Sequence, residues 1–306
     1  MRTDQNPRIS SFIRATLCAA ALLPLAGCDY VNGLLHRTPD IKFTNAGNDY
    51  SSKPDFAKVE HQFPLAPVEL NKLTPKNIAN FSQEEVDQIY ARLSAGPIPE
   101  GAFDGGLFFP KNSQGDRRLA EIVGGLPGLA VELEAQKLEI VGRQLWRGKV
   151  FYRDERLLRN RIEDLSLLKP IIDGDLSTIP TLEVHGKKQW LLFPARLYCG
   201  QSLLDSRRES IIIDYAFTDE LPNYRERPDY LAGREGFQIR DEIRMVRPGF
   251  YLGRAYAARA FLLNFVLYNE EIAKRDGGEF LKTGQVAEDC WTGTQERKHS
   301  RTLAAT

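Results

Sequence analysis

The sequence predicts an α+β protein in which N-terminal helices pack on a mostly antiparallel, curved sheet or partial β-barrel. Two observations support this fold class. Helical periodicity is concentrated before residue 170, whereas short stretches dense in aromatic and β-branched residues recur after residue 180. Turn residues separate these stretches, and the near-regular spacing is typical of an antiparallel meander that curves or closes.

The clearest helix begins at Ser82. Ser82-Gln83-Glu84-Glu85 matches a capping box, in which the serine hydroxyl and the glutamate carboxylate satisfy each other's backbone amides. Gly96-Pro97 ends the helix. One apolar face follows from the helical spacing of Val86, Ile89, Tyr90 and Leu93.

Weaker patterns predict the remaining elements before residue 180. Apolar spacing indicates further helices over 119–126, 130–145 and 158–168. The glycines and prolines of 96–106 predict a loop.

Six segments are predicted to be strands. In the segment 237–246, alternation places Asp241 on the apolar face and Arg244 on the other face. The last segment is apolar on both faces and should be central in the sheet. The predicted strands are 146–153, 189–198, 209–217, 237–246, 250–257 and 261–268.

The N-terminus has the organisation of a secretory signal. Arg2, Arg8 and Arg14 precede an apolar run over 15–25, and small residues lead into Cys28. The run is shorter than the roughly 20 residues that cross a bilayer. Residues 1–27 are therefore predicted to be removed. An ordinary secreted protein with a chance cysteine at this point is the alternative.

Leu25-Ala26-Gly27-Cys28 resembles the lipobox of bacterial lipoproteins. The resemblance implies a diacylglycerol on Cys28, cleavage before it and N-acylation, and hence a cell-membrane location on the periplasmic side. More broadly, the chain resembles hypothetical lipoproteins of Gram-negative bacteria. Asp29 resembles the signal that retains lipoproteins in the inner membrane of enteric bacteria, and the choice between the inner and the outer membrane stays open.

The mature chain divides into three parts. Residues 28–75, rich in proline and polar residues, are predicted to be the lipidated N-terminus and a flexible tether. Residues 76–282 form a single globular domain, and 283–306 form a C-terminal tail. In an oxidising compartment Cys199 and Cys290 are expected to form a disulfide that pins this tail, and two separate thiols are the alternative.

Composition argues against several function classes. The full chain balances 41 basic against 41 acidic residues, and loss of the predicted signal removes three arginines and one aspartate, which leaves a net charge of −2. This balance gives no reason to expect nucleic acid as a partner. The four histidines have no metal-ligand spacing, and no cofactor or nucleophile motif is present. We therefore expect no metal, no cofactor and, on balance, no enzymatic activity.

Residues 224–259 are the most chemically dense region, with eight arginines among acidic residues and tyrosines. Arginine binds carboxylates and phosphates bidentately. These side chains either hold the polar end of a ligand or form ion pairs across neighbouring strands, and the sequence favours ion pairs. Asp241 is the expected partner of Arg254, with Asp214 as the alternative. The ligand-binding candidates are Arg254, Tyr256, Asp241, Asp214 and Arg244.

Trp146-Arg147-Gly148-Lys149-Val150-Phe151 is similar to the Trp-x-Gly-Lys-x-Phe element of the uncharacterised GxWxG-domain proteins. Leu252-Gly253-Arg254 and the apolar strand after it resemble later strands of that family. The resemblance covers about a third of the mature chain and implies neither an activity nor catalytic residues.

Three functions fit the sequence. The leading hypothesis is a lipid-anchored protein that binds a small apolar or amphipathic ligand, or an envelope protein, on its curved sheet. The second is a hydrolase or cyclase acting on an envelope component through Asp, Glu, Arg and Tyr, with Asp214, Asp241 and Glu242 as the carboxylates. The third is a structural envelope assembly factor without a pocket, which should expose a large apolar patch.

Overall fold

The computed structural model describes residues 38–45, 54–110, 146–166 and 168–293. Nine strands and five α-helices occupy this part of the chain. The strands are β1 (Gly101–Phe108), β2 (Trp146–Tyr152), β3 (Leu157–Ile162), β4 (Thr181–Val184), β5 (Lys187–Gln201), β6 (Glu209–Asp214), β7 (Ile239–Arg247), β8 (Phe250–Ala257) and β9 (Ala260–Tyr268). The α-helices are α1 (Phe56–Gln62), α2 (Pro67–Lys72), α3 (Gln83–Arg92), α4 (Glu226–Asp229) and α5 (Glu270–Thr283), and short 3₁₀ helices span Asn77–Asn80, Lys169–Ile171 and Leu176–Thr178.

Eight of the strands form a closed antiparallel barrel. The strand order is β3-β2-β1-β9-β8-β7-β6-β5, and pairing between β3 and β5 closes the ring. β4 pairs with β5 and forms a hairpin with it. The prediction of a mostly antiparallel curved sheet or barrel is therefore confirmed. The described part of the chain is mostly β, so the α+β class itself is not confirmed.

Side chains fill the barrel interior. Alternate residues from all eight strands belong to one apolar cluster, as expected when every second side chain points inward. Phe103 packs edge-on against Phe151 and Tyr251, with ring centroids 5.6 and 5.8 Å apart. An eight-stranded barrel is narrow enough for such side chains to occupy its centre. The barrel interior is therefore a hydrophobic core filled largely by aromatic side chains.

Gly253 makes room for one of these rings. A Cβ atom added at Gly253 would lie 2.2 Å from the Phe265 ring. Phe265 comes from the neighbouring strand, directly opposite in the register. The absence of a side chain on β8 therefore lets a phenyl ring from β9 occupy the interior.

A second apolar cluster joins helices to strands. It combines outward-facing residues of β1, β7, β8 and β9 with residues of α2, α3 and α5. Val86, Ile89, Tyr90 and Leu93 of the predicted amphipathic face are all buried. The capping box is also present, with the Glu85 amide donating to the Ser82 hydroxyl and the Ser82 amide donating to the Glu85 carboxylate. The prediction of this helix is confirmed.

The loop prediction holds for 96–100 but is wrong for 101–106, because β1 begins at Gly101. The glycines of this region are packing positions within a sheet. Gly148 on β2 has a φ of +128°, and a Cβ there would lie 2.0 Å from the Phe103 carbonyl oxygen. The two backbones approach more closely than any side chain permits, so glycine is required.

The predicted helix over 158–168 is also wrong. Residues Leu157–Ile162 form β3, with Leu158 inside the barrel and Arg161 on the outer side. Leu158, Ile162, Leu165 and Leu168 have helical spacing, but Ile162, Leu165 and Leu168 belong to a third apolar cluster with the start of β5. Pairing of this segment with β2 and β5 overrides the spacing.

The predicted tether contains folded segments. Both α1 and α2 lie within the predicted tether 28–75, and Val59, Leu70 and Leu73 of this stretch are buried. Prolines in this stretch fit helix starts, since Pro67 is the first residue of α2. The predicted helices over 119–126 and 130–145, and Cys28 itself, lie outside the described residues. None of the described helices has the length and hydropathy needed to cross a bilayer.

The expected disulfide is present. Cys199 of β5 is bonded to Cys290, across a sequence separation of 91 residues. Nearby contacts fasten the same C-terminal segment to the chain after α3: the Gly96 amide donates to Glu288 at 2.8 Å and the Ile98 amide to Asp289 at 2.7 Å. The C-terminal tail is therefore held to the barrel at least as far as Cys290.

Candidate functional site

The five predicted ligand-binding residues do not share one cavity. Asp241 lies in the barrel interior, whereas Arg244, Arg254 and Tyr256 lie on the outer side of the wall. Asp214 also lies on the outer side, at the end of β6. The barrel wall therefore separates residues that the sequence grouped together.

Arg254 is bound between α3 and the barrel wall. Only 3% of the residue is exposed, and its guanidinium forms an ion pair with Asp87 of α3. It also donates to the Tyr256 hydroxyl at 2.9 Å and lies 4.2 Å from the centre of the Phe261 ring. Burial alone would lower the pKa of Arg254, but Asp87 and Tyr256 outweigh burial and raise it. The prediction that Asp241 pairs with Arg254 is wrong, because the Asp241 carboxylate lies on the opposite side of the barrel wall.

Asp87→Ala tests this ion pair. Removing the carboxylate leaves Arg254 buried without its counter-ion, so we expect the free energy of unfolding to fall by about 3 kcal/mol. Urea denaturation followed by circular dichroism measures the change. Glu84→Ala, at an exposed position of the same helix, is the matched control and should cost less than about 0.5 kcal/mol. Equal effects of the two substitutions would contradict the assignment.

Arg244 satisfies the C-terminal end of α3. It is fully buried, donates to the Ser210 hydroxyl at 2.9 Å and to the Tyr90 carbonyl at 3.2 Å, and has Asp205 3.6 Å away. Burial lowers the pKa of Arg244. The last carbonyls of a helix lack partners within it, and a guanidinium can supply them. The guanidinium of Arg244 is therefore held by hydrogen bonds within the fold, including one to the Tyr90 carbonyl at the end of α3.

The barrel interior contains a buried charge that the sequence analysis did not select. The Lys149 ammonium donates to Tyr215 at 2.6 Å and to Asn160 at 2.9 Å, and lies 3.0 Å from the Asp241 carboxylate. The side chains of Lys149 and Asp241 are 4% and 6% exposed. A buried ammonium is stable only when it is paired and hydrogen-bonded, and these three groups meet that requirement.

Aromatic rings and hydrogen bonds complete the surroundings of Lys149. The Trp146 indole donates to Asn160 at 2.9 Å, and the ammonium lies 5.3–5.5 Å from the ring centres of Trp146, Tyr215 and Phe265. Burial alone would lower the pKa of Lys149, but Tyr215 and Asp241 raise it. Burial also raises the pKa of Tyr215 to about 12. The pKa of Lys149 therefore lies above its ordinary value, while burial also raises the pKa of its partner Asp241.

A large cavity lies mostly on the outside of the barrel. It is a cleft of about 1360 Å³ between α5 and the β4–β5 hairpin, bordered by parts of β1 and β2. Ala102, Val150 and Tyr268 contribute apolar surface. Phe103 and Phe151 of the interior cluster also line it, so the cleft reaches one end of the packed core.

Local sequence explains why α5 forms the wall of this cleft. Asn269 caps the N-terminus by accepting from the Ile272 amide at 2.9 Å, and Gly284 ends the helix in the left-handed conformation. The Asn269 side chain also donates to the Ala102 carbonyl at 2.9 Å, which joins the helix start to β1. The sequence analysis made no separate prediction for this helix.

A chain of polar groups runs along the cleft. Arg161 of β3 is 1% exposed, donates to Gln189 at 2.7 Å and pairs with Asp104 of β1 at 2.9 Å. Asp104 also lies 3.1 Å from the His185 ring nitrogen in the hairpin turn. Gly148 lies between Asp104 and Arg161 in the register, so no side chain separates them. The Nη1 of Arg161 has no hydrogen-bond partner among the described residues.

The cleft is acidic. Seven carboxylate residues and four arginine or lysine residues line it. Several of these are paired locally, such as Lys274 with Glu270 at 2.7 Å. Glu183 of β4 and Glu279 of α5 have no side-chain hydrogen bond or ion pair within the described part of the chain. The lining therefore offers carboxylates from two facing elements to a cationic ligand.

One group of residues has the spacing of a metal site among the described ones. Atoms of Cys199, Glu209 and Cys290 lie within 4.8 Å of one another. Both sulfurs belong to the disulfide and cannot act as thiolate ligands. This group is therefore a structural link.

The sequence carried partial signals for the residues it missed. Lys149 shares a strand face with Phe151, and a lysine on an apolar face implies a buried partner. Asp104 and Arg161 were assigned to a loop and a helix, so their proximity across β2 could not be inferred. His185 was placed correctly in a turn, but nothing local indicated Asp104 as its neighbour.

Comparisons with known proteins do not assign this chain to a family. No protein-family profile matches the chain, and no curated protein matches it. A solved structure described as a crystal structure of a protein from Thermomonospora curvata aligns with 62% of this chain and 88% of that chain. The identity is 17% and the TM-score is 0.30.

Proposed function

We propose that the protein is a lipid-anchored binding protein of the bacterial cell envelope, and that it holds its ligand in the acidic cleft between α5 and the β4–β5 hairpin. The observation that carries the proposal is the cleft itself, with a volume of about 1360 Å³. A concave surface with apolar lining and a few convergent polar groups is the usual form of a binding site.

The location of the cleft changes the leading hypothesis. The curved sheet was expected to enclose the ligand, but aromatic side chains fill the barrel interior. Arg161, Asp104 and His185 instead provide the convergent polar groups on the outer wall. The site residues of the proposal are therefore these three, together with Ala102 and Val150 of the apolar lining.

The enzymatic alternative required Asp214, Asp241 and Glu242 to face one cleft. Asp241 lies inside the barrel with Lys149, whereas Glu242 is paired with Arg240 on the outer side. Asp241 is therefore separated from Asp214 and Glu242 by the barrel wall, and the three carboxylates do not face one cleft. The assembly-factor alternative remains an outcome of the binding experiment below.

The anchor is tested by Cys28→Ala. A lipidated cysteine attaches the chain to the membrane because each buried methylene adds about 0.8 kcal/mol and several acyl chains act together. We expect the variant to leave the membrane fraction or to accumulate with its signal uncut, as measured by fractionation and by the mass of the N-terminus. Cys18→Ala changes a cysteine within the signal and should leave attachment intact. A Cys28→Ala protein that is still cut and membrane-bound would falsify the anchor.

Ala102→Trp tests the cleft. Ala102 is partly exposed and lines the cleft, so an indole there should obstruct it. Native mass spectrometry of the full-length protein, purified from its own envelope, should show a bound species that the variant retains at less than about a tenth of the wild-type occupancy. Ala260→Trp, at the exposed first residue of β9 and outside the cleft, is the matched control. A bound species that survives Ala102→Trp unchanged contradicts the proposed site.

A further inference from the structure

In the described part of the chain, β4 has one unpaired edge, and it lies beside the cleft. Thr181–Val184 pair with 187–190 of β5, and β4 stands at the end of the strand order. The described chain provides no strand for its other edge. Closing a barrel removes edges, so an open edge outside the closed ring exposes backbone donors and acceptors to a partner.

The side chains of β4 present alternating chemistry to the cleft. Leu182 and Val184 are half-buried, whereas Thr181 and Glu183 are exposed. Leu182, Glu183 and Val184 all line the cleft. An extended segment lying beside β4 would place every second side chain near the apolar pair and the others near the Glu183 carboxylate.

The size and the charge of the cleft indicate a polypeptide. Sites for drug-sized molecules have volumes of roughly 300–1,000 Å³, and this cleft, at about 1360 Å³, exceeds that range. Its excess of carboxylates complements basic side chains. Within the described residues the Arg161 Nη1 lacks an acceptor, and the carbonyl groups of a peptide are acceptors that a simple polyamine does not offer.

We infer that the occupant is an extended, basic polypeptide segment of a partner protein, which adds to the open edge of β4. Backbone hydrogen bonds to β4 provide affinity, and the carboxylates of Glu183 and Glu279 select lysine or arginine side chains. This mode is β-strand addition, in which the edge strand acts as a template. The inference rests on the proposed binding function and specifies the class of its ligand.

The experiment uses fluorescein-labelled octapeptides and the mature lipidated protein in detergent. The test peptide alternates lysine and valine, and a second peptide replaces each lysine with glutamate. A third keeps the lysine–valine sequence but carries N-methyl groups on alternate residues, which removes the amide donors of one edge. Fluorescence polarisation should show that the basic peptide binds at least about tenfold more tightly than either of the others.

Substitutions in the cleft locate the binding. Glu183→Gln and Glu279→Gln should each weaken binding of the basic peptide several-fold, and the double variant should weaken it by about tenfold. Glu84→Gln changes an exposed carboxylate on α3, outside the cleft, and should leave binding unchanged. Circular dichroism and the unfolding midpoint confirm that the variants are folded.

The outcomes separate this inference from the proposed function. If the N-methylated peptide binds as tightly as the unmodified one, strand addition to β4 is overturned. If no basic peptide binds while a species blocked by Ala102→Trp is found in native mass spectra, the cleft is a site for a different ligand and only this inference fails. If neither peptide nor copurified species depends on the cleft, both fail.

Discussion

Lys149→Met should lower the free energy of unfolding by about 3–5 kcal/mol, which is the usual cost of leaving one member of a buried ion pair without its partner. Asp241 would then lie in the barrel core without the ammonium 3.0 Å away, and Tyr215 and Asn160 would lose a shared donor. Urea denaturation followed by circular dichroism measures the loss.

The design includes a rescue and a control. Lys149→Met combined with Asp241→Asn removes both charges, and it should recover most of the stability because no ion remains buried. Lys58→Met changes an exposed lysine of α1 and should alter stability by less than about 0.5 kcal/mol. A cost below about 1 kcal/mol for Lys149→Met alone would show that the core tolerates an unpaired Asp241.

The same variant has a defined pH dependence. The pKa of Lys149 is raised above its ordinary value of 10.5, so the folded protein binds this proton more tightly than the unfolded chain. The resulting stabilisation is fully present below the ordinary value and is lost as the pH rises through the folded value. The difference in stability between wild type and Lys149→Met should therefore shrink at strongly alkaline pH. Denaturation curves across that range measure it.

Removing the disulfide by Cys199→Ala with Cys290→Ala should cost about 4 kcal/mol, because a loop of 91 residues is then free in the unfolded chain. The bond also holds the segment whose Glu288 and Asp289 accept from the amides of Gly96 and Ile98. We expect lower thermal and urea midpoints for the double variant.

Reduction provides the control for this second prediction. Wild type treated with a thiol reductant should match the double variant, whereas the variant should not respond to the reductant. If the oxidised wild type and the variant unfold at the same urea concentration, the bond contributes nothing to stability, and the noncovalent contacts of the C-terminal segment hold it alone.

The agreement between sequence and structure is best where a residue's environment is local. The capping box at Ser82 and Glu85 involves residues three apart, so the pattern contains its own geometry. The alternation along 237–246 also placed Asp241 and Arg244 on opposite faces of β7. What each of them contacts was beyond the pattern, because Lys149 and Tyr90 come from distant parts of the chain.

The wrong predictions have a common physical origin. The glycines before and within β1 have the composition of a loop, but Gly105 and Gly148 permit a close approach between paired strands. The apolar spacing from Leu158 to Leu168 suits a helix, but pairing with β2 and β5 selects a strand. In both segments, pairing with neighbouring strands of the barrel outweighs local preference.

Local patterns and composition were enough to predict five of the six strands after residue 180, the helix after Ser82, the face of β7 that carries Asp241, and the bond between Cys199 and Cys290. Each depends on periodicity, capping or the count of available thiols, which are properties of neighbouring residues or of composition. The closure of the barrel through β3 and β5, the pairing of Lys149 with Asp241 inside it and the position of the cleft are visible only in the folded chain. These features depend on which strands become neighbours. Contacts between residues that are distant in the sequence select that pairing, and local propensity does not.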